Sequence, residues 1–189
     1  MRIAVVSDVH GNLDALDAVL ADIALQRVDL TVDLGDLLSG ALHPGETADR
    51  LMALDLPTVG GNHERQVLTH SDEELGESDR FARAALRADQ LDWLATLPLT
   101  LEVANGVLAF HGSPTDDTTY LLETVEASGA RPATVPEVLD RVGTAASWPL
   151  LLCGHTHLQR ASRCRPVRWW STRAASATPP SPTTTRTRT

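Results

Sequence analysis

The pattern of apolar positions predicts alternating strands and helices in the first part of the chain. Apolar runs at Ile3–Val6 and 30–34 are typical of short buried strands. Between them, leucine, valine and isoleucine recur at helical spacing over 13–23, and Asn12 is placed to cap that helix. A second helix is predicted for Pro44–Leu54.

Helices dominate the middle of the chain, and strands return after it. A short strand is predicted at 57–59, and the stretch 64–97 is mostly helical, with breaks near Ser71 and Gly76. Residues 114–147 are predicted as loop and helix.

Three more strands complete the pattern. Those at 99–103 and 107–110 flank Asn105-Gly106, a strong hairpin signal. The last apolar run is at 150–153. The alternation of strands with helices predicts an α/β fold.

Asp or His residues follow the ends of five predicted strands. The motifs are Asp8-x-His10, Gly35-Asp36, Gly61-Asn62-His63, His111 and Gly154-His155-x-His157. Loops at the carboxyl ends of strands gather into the active site of α/β proteins. We therefore expect these side chains to meet at one place.

These residue types are suited to divalent metals. Five of the seven histidines belong to the motifs, and imidazole and carboxylate groups bind Mn, Fe, Zn and similar ions. In an extended segment residues i and i+2 point to the same side, so Asp8 with His10, and His155 with His157, are expected to form ligand pairs. Two metals about 3.5–4 Å apart clamp a phosphoryl group and activate water.

Composition excludes several classes of protein. A length of 189 residues suits one domain with a sizeable core, and the lack of an apolar run of about 18 residues gives no reason to expect a membrane partner. Residues 1–161 carry 10 Arg and 25 acidic residues, a net charge of −15. This argues against a nucleic-acid partner, which needs a basic face.

The two cysteines, Cys153 and Cys164, are too few for a disulfide framework. We expect no signal peptide in the first residues, because polar and acidic residues follow the short apolar run at once. We therefore expect a reduced, cytoplasmic protein, with Cys153 as a buried strand residue.

The ordered motifs SDVHGN, LGD, GGNHE, HGSP and GHTH resemble those of the calcineurin-like metallophosphoesterases, most closely their small bacterial and archaeal phosphodiesterase branch. The resemblance spans residues 1–160. It implies a four-layer α/β/β/α sandwich of two mixed sheets flanked by helices.

The resemblance also implies two divalent metal ions, with Mn favoured and Fe, Zn, Ni or Co as alternatives. The implied ligands are Asp8, His10 and His157 for one metal, Asn62, His111 and His155 for the other, and Asp36 as the bridge between them. His63 would be a catalytic residue that binds no metal and contacts the phosphate or protonates the leaving oxygen.

The implied activity is hydrolysis of a phosphodiester or phosphomonoester by a metal-bound hydroxide, on a small or nucleotide-like substrate. The motifs leave two alternatives open, because substrate choice lies in the loops. One is a protein phosphatase or dinucleoside polyphosphate hydrolase with the same centre, and the other is an inactive, truncated metal-binding module. The oligomeric state is not indicated.

Other polar residues near the motifs have simpler interpretations. Asp33 is expected to be a strand-end polar residue rather than a ligand. Glu64 either orients a neighbouring ligand or favours the start of a helix. For Asp116, Asp117 and Tyr120, ordinary loop polarity is preferred to contact with substrate.

The chain changes character after residue 161. Residues 162–189 contain six Arg and no acidic residue, with many Thr and Pro. This composition predicts a disordered tail after a phosphoesterase domain at 1–161. The C-terminal strands expected from the family would then be missing or altered, which would leave sheet edges uncovered.

A frameshift near Ala161 is one explanation of the tail. If the last base of each codon is read with the first two of the next, Trp169-Trp170 must read Val. The genetic code lets the eight junctions from Trp169 to Ala177 read Val-Val-Asn-Pro-Gly-Ser-Val-Gly, which contains the Asn-Pro-Gly-Ser segment usual in the family.

Overall fold

The predicted alternation of strands and helices is confirmed in the computed structural model, which describes residues 1–164 and 168–172. The strands are β1 (Ile3–Val6), β2 (Leu30–Asp33), β3 (Thr100–Ala104), β4 (Val107–Phe110), β5 (Glu123–Glu126), β6 (Gly129–Pro132), β7 (Leu150–Leu152), β8 (Arg160–Cys164) and β9 (Arg168–Thr172). The helices are α1 (Leu13–Leu25), α2 (Pro44–Leu54), α3 (Asn62–Thr69), α4 (Glu77–Ala85), α5 (Ala88–Leu94) and α6 (Val135–Val142), and a 3-10 turn follows at Gly143–Ser147.

Local sequence signals explain where the first two helices begin. The Asn12 side chain accepts a hydrogen bond from Ala15 N at 3.1 Å, which caps α1. Pro44 occupies the first position of α2, where its missing N–H has no intrahelical partner to lose. Both predicted helices are confirmed, and α2 has the predicted bounds.

The first sheet pairs β1 with β2 in parallel, with Ile3 opposite Leu30 and Val6 opposite Asp33. The predicted strand at 57–59 is reduced to a single parallel bridge between Asp33 and Thr58. Because β1 and β2 are parallel, they end at the same edge of the sheet, and this edge carries the Asp8 and Asp36 loops.

The second sheet is mixed and has the order β3-β4-β7-β9-β8. The predicted hairpin at Asn105-Gly106 is confirmed, with Gly106 at φ 76° between the antiparallel strands β3 and β4. Strand β7 runs parallel to both of its neighbours, β4 and β9. The His111 and His155 loops therefore leave this sheet at one edge.

The hairpin of β5 and β6 was not predicted, since 114–147 was expected to be loop and helix, although Gly129 directly follows its Ala127-Ser128 turn at φ 122°. Contacts outside the turn hold it. Arg131 Nε donates to Glu126 Oε1 at 2.6 Å, and Arg131 Nη2 donates to Glu137 Oε1 on α6 at 2.8 Å.

The region after residue 159 also differs from expectation. The boundary predicted at 161 falls inside β8, and β9 pairs with β7 and β8. Strand pairing depends on neighbours distant in sequence, so composition does not reveal it. The remainder of the predicted tail, 165–167 and 173–189, lies outside the described residues.

Three hydrophobic clusters form the core of the described residues. One contains residues of both sheets, among them Val32, Ala109 and Leu152. A second joins the other face of the second sheet to α6 through Phe110 and Val138, and a third lies among α1 to α5. No helix in the described part of the chain is long and apolar enough to cross a membrane.

Candidate metal centre

The loops after β1 and β2 are joined by backbone hydrogen bonds, which place their ligands side by side. Asp8 N donates to Gly35 O at 2.9 Å, and His10 N donates to Asp36 O at 3.0 Å. Both carboxylates are almost fully buried. The two predicted motifs of the first sheet are thus brought together.

The ligand pairs Asp8 with His10 and His155 with His157 were expected to arise from extended segments, and this expectation is wrong. Asp8 and His10 have φ values of 58° and 51°, and His155 and His157 have 72° and 55°, so these segments are not extended. Asp36 is also left-handed, at φ 56°. Left-handed backbone is costly for residues other than glycine and is concentrated at functional sites. The ligands therefore converge through tight turns rather than through strand alternation.

One candidate metal position is formed by Asp8, His10 and His157. His10 Nε2 lies 3.2 Å from His157 Nε2, which lies 3.3 Å from Asp8 Oδ1. Two atoms that each bind one metal at about 2.1 Å are separated by roughly 3.0–3.5 Å. These three side chains therefore have the spacing of ligands to a common ion.

A second candidate position is formed by Asp36, His111 and His155, whose ligand atoms lie within 4.8 Å of one another. His111 Nε2 is 3.1 Å from Asp36 Oδ2. Asp36 also forms a group of the same spacing with His10 and His63. Its carboxylate thus lies between the two positions, where a bridging ligand would have to be.

Three buried ligand atoms have no hydrogen-bond partner in the described part of the chain, namely Asp8 Oδ1, Asn62 Oδ1 and His111 Nε2. His157 approaches Asp8 Oδ1, and Asp36 approaches His111 Nε2, but neither contact has the angles of a hydrogen bond. Buried polar atoms are rarely left unpaired. Atoms of three different predicted ligands that lack a hydrogen bond fit a site that is completed by cations, with Asp8 Oδ1 and His111 Nε2 already at ion-pair distance from His157 and Asp36.

Backbone carbonyls orient two of the imidazoles. His10 Nδ1 donates to Ser39 O at 2.7 Å, and His111 Nδ1 donates to Leu34 O at 2.7 Å. Since a carbonyl oxygen only accepts, each Nδ1 carries the proton. The lone pair of each neutral ring is then on Nε2, which faces the other ligands.

His155 is oriented in the opposite sense. Its Nε2 lies 2.9 Å from Thr118 O, so this nitrogen donates and Nδ1 carries the lone pair. Thr118 is held by Asp116, whose Oδ1 accepts from Thr118 N at 2.8 Å and from Thr118 Oγ1 at 2.7 Å. Asp116 thus fixes the position of Thr118, whose carbonyl oxygen orients the His155 ring.

Glu64 serves both of the roles considered for it. Its buried carboxylate accepts from Gly61 N at 2.9 Å, which completes the start of α3. It also accepts from Asp36 N and Leu37 N, both at 2.8 Å. A single side chain therefore ties the Asp36 loop to the segment that carries Asn62.

His63 has a partner that the sequence analysis missed. His63 Nδ1 is 2.7 Å from Asp79 Oδ1, and Asp79 is 4 % exposed at the start of α4. His63 Nε2 lies 4.0 Å from Asp36 Oδ2, on the side of the metal centre. Asp79 follows no motif and lies 16 residues from His63 on another helix, so no signal in the sequence identifies it.

Burial and charge oppose each other at the centre. Burial favours the neutral form of Asp36, but the nearby His111 and His63 outweigh it and bring the pKa of Asp36 below its usual range. Burial likewise opposes the charged form of His111, yet the Asp36 carboxylate raises the pKa of His111 to about 9. A cation bound at this position would have to displace the proton of His111, because a metal binds the neutral imidazole.

The other histidines of the centre differ among themselves. Burial lowers the pKa values of His10 and His155, which favours the neutral form of each ring, the form that binds a metal. The close contact with Asp8 raises the pKa of the more exposed His157.

Two motif glycines are required by close approach. A Cβ at Gly61 would overlap the Asp36 carboxylate and backbone, and a Cβ at Gly154 would overlap Ser7 Oγ. A larger residue at Gly61 would push its loop away from Asp36, and a larger residue at Gly154 would push its loop away from Ser7.

Comparison with known proteins identifies the family. The model of the calcineurin-like phosphoesterases matches residues 1–159. The uncharacterized protein MJ0912 of Methanocaldococcus jannaschii is 34 % identical over 122 residues, which are 59 % of this chain and 49 % of that protein. The chain thus spans about half the length of this curated relative.

Two solved structures share the fold. A metallophosphoesterase from Sphaerobacter thermophilus superposes with a TM-score of 0.71 at 24 % identity, over 91 % of this chain and 75 % of that one. The hypothetical protein PH1004 from Pyrococcus horikoshii OT3 gives 0.73 at 16 % identity, over 90 % and 75 %. Since the family model covers most of the sequence, including every motif described above, the chain belongs to the calcineurin-like phosphoesterase family.

Proposed function

We infer that the chain is a metal-dependent phosphoesterase that hydrolyses phosphodiester or phosphomonoester bonds at a dinuclear centre. The observation that carries this proposal is the convergence of two ligand clusters on the Asp36 carboxylate, with buried ligand atoms left unpaired. Family membership supports the same reaction class.

The seven predicted ligands would hold two divalent cations, Mn being favoured, in the arrangement expected from the family. Such cations supply Lewis acidity that activates water and neutralises charge on the phosphate. The surrounding chain keeps the ligands ready, because carbonyl oxygens fix the rings of His10, His111 and His155.

His63 is proposed to act on the leaving oxygen. In the imidazolium form, Nδ1–H donates to Asp79, and Nε2–H is directed towards the centre and available to donate. The buried Asp79 carboxylate holds the ring in this orientation, as carboxylates do for catalytic histidines in other enzymes. His63 thus supplies a proton at a defined atom without binding a metal.

The substrate is proposed to be a small or nucleotide-like phosphoester. The negative charge of residues 1–161 disfavours polyanions such as nucleic acid. The four-layer α/β/β/α sandwich implied by the family resemblance is also part of this proposal. The buried free thiol of Cys153 supports a reducing, cytoplasmic setting.

The decisive experiment compares bis-p-nitrophenyl phosphate with p-nitrophenyl phosphate as substrates of the Mn-loaded chain, together with metal analysis. We expect two Mn per chain and turnover of the diester. The Asp36→Asn variant should lose turnover, whereas Asp22→Asn, at an exposed position of α1, should match wild type.

Two results would count against the proposal. Bound metal without turnover of any ester would favour a non-catalytic metal-binding module. A folded chain that takes up no divalent ion would contradict both the phosphoesterase and the metal-binding module.

A further inference from the structure

Tyr120, the only tyrosine of the chain, lies against a proposed metal ligand. Its ring centroid is 4.7 Å from that of His155, with the ring planes tilted by 32°. The residue is 41 % exposed, whereas Leu121, which follows it, is buried in the core. An exposed aromatic ring therefore borders the metal centre on the His155 side.

The exposure of Tyr120 does not come from a loose backbone. Arg141 Nη1 donates to Tyr120 O at 2.9 Å and to Leu121 O at 3.1 Å. Two residues earlier, Thr118 O is engaged by His155, and Asp116 holds Thr118. The backbone is thus fixed on both sides of Tyr120, and the ring is held at the edge of the site.

The charged groups of this loop are already occupied. Asp117 accepts two hydrogen bonds from Arg65, at 2.7 and 2.8 Å, and Asp116 accepts from the threonines that follow it. The Tyr120 hydroxyl, in contrast, has no hydrogen-bond partner within the described residues. Tyr120 is therefore a group of this loop that remains available to a ligand.

We propose that the Tyr120 ring is a stacking platform for the nucleobase of a nucleotide-like substrate whose phosphate occupies the metal centre. An aromatic face binds any base by stacking and dispersion. A ring anchored beside His155 would hold the base while the phosphate reaches the metals. This inference rests on the proposed phosphoesterase function and replaces the simpler interpretation of Tyr120 as ordinary loop polarity.

The test uses two ligands that differ only in the base. AMP and ribose 5-phosphate are titrated as their methylenephosphonate analogues, which have no P–O–C ester bond to hydrolyse, so calorimetry of the Mn-loaded full chain reads affinity rather than turnover. Wild type should bind AMP more tightly. Tyr120→Leu should weaken AMP about 5- to 150-fold and leave ribose 5-phosphate unchanged, and Tyr120→Phe should retain AMP binding.

The controls separate stacking from support of His155. Unchanged ribose 5-phosphate binding and metal content show that the centre is intact in each variant. Phe81→Leu removes another exposed ring, which lies about 200° around α4 from Asp79, and should change neither affinity. If Tyr120→Leu fails to hold metal, Tyr120→Trp provides the test, because its larger ring should tighten AMP.

Each contrary result has a distinct meaning. Equal affinities of wild type for the two ligands, or equal weakening of both by Tyr120→Leu, would overturn the platform while phosphoester turnover still supported the proposed function. Failure of both ligands to bind, together with absence of turnover, would overturn the proposed function and the platform with it.

Discussion

The two sheets bring different chemistry to one centre. The first sheet and the segment after it supply Asp8, Asp36 and Asn62, together with His10. The second sheet supplies histidines alone, His111 after β4 and the His155 pair after β7. Carboxylate and amide oxygens therefore come mainly from one side, and imidazole nitrogens mainly from the other.

The sheets also differ in how they are supported. The first consists of two strands and one bridge, braced by the buried Glu64 carboxylate. The second has five strands, of which β9 lies wholly and β8 partly in the region of altered composition.

Hydrogen bonds from His111 to Leu34 O and from His155 N to Asp8 Oδ2 join the sheets at the centre. Metal binding therefore depends on how the two sheets pack against each other, although different contacts stabilise each sheet.

The largest expected effect comes from Asp36, the proposed bridging ligand between the two metal positions. Asp36→Asn should lower turnover about 10³-fold or more, since metal ions contribute several kcal/mol of transition-state stabilisation. Bound metal should fall as well, measured by elemental analysis. An unchanged rate would mean that the two metal positions do not share Asp36 as a ligand.

A smaller effect is expected at Asp79, which belongs to neither sheet. Asp79→Asn should lower kcat about 10- to 100-fold, because His63 loses its orienting carboxylate. Metal content and KM should be retained, since no ligand is altered. The matched control is Glu77→Gln, an exposed neighbour on α4. Loss of metal in Asp79→Asn would place Asp79 in the metal site instead.

The support of the second sheet is tested by chain length. A chain that ends at Gln159 lacks β8 and β9, which leaves β7 with β4 as its one described neighbour, whereas a chain that ends at Thr172 keeps both strands. We expect the shorter chain to melt about 5 °C or more below the longer one, as a loss of roughly 2 kcal/mol implies. Equal melting temperatures would show that pairing with β4 alone is enough to support β7.

The origin of residues 162–189 as a frameshift product stays a prediction. The coding DNA tests it directly. If the third-base frame lacks Asn-Pro-Gly-Ser, the idea fails.

The smallest effect is expected from Asp33, a fully buried carboxyl at the end of β2 whose burial raises its pKa well above the usual value. A raised pKa means that the folded state holds a proton that the unfolded state releases, so stability falls as pH rises from the unfolded value. Asp33→Asn removes this dependence and should raise the melting temperature at neutral pH, but not near pH 3.8. A variant less stable at every pH would contradict this.

Predictability from sequence differs among the parts of the site. Each ligand motif was recognisable because a metal centre needs particular side chains in a particular order. The convergence of Asp8 with His10 was expected for the wrong reason, since left-handed φ values are set by contacts between loops. Asp79 was missed, because a helix far along the chain brings it to His63.

The same division holds for the fold. Strands with continuous apolar runs and helices with a capping Asn12 or an initial Pro44 were predicted correctly, because their signals are local. The β5–β6 hairpin and strands β8 and β9 were not, because they depend on pairing and on ion pairs such as Arg131 with Glu137.

The amino-acid sequence by itself determined which ligands are available, their order along the chain and the family, because these depend on the chemistry of individual side chains. Only the tertiary structure decided which nitrogen of each imidazole faces the centre, which carboxylate orients His63, and that Tyr120 lies against His155. The physical reason is that each of these depends on a group from a distant segment, whose position is set by packing between the sheets and helices.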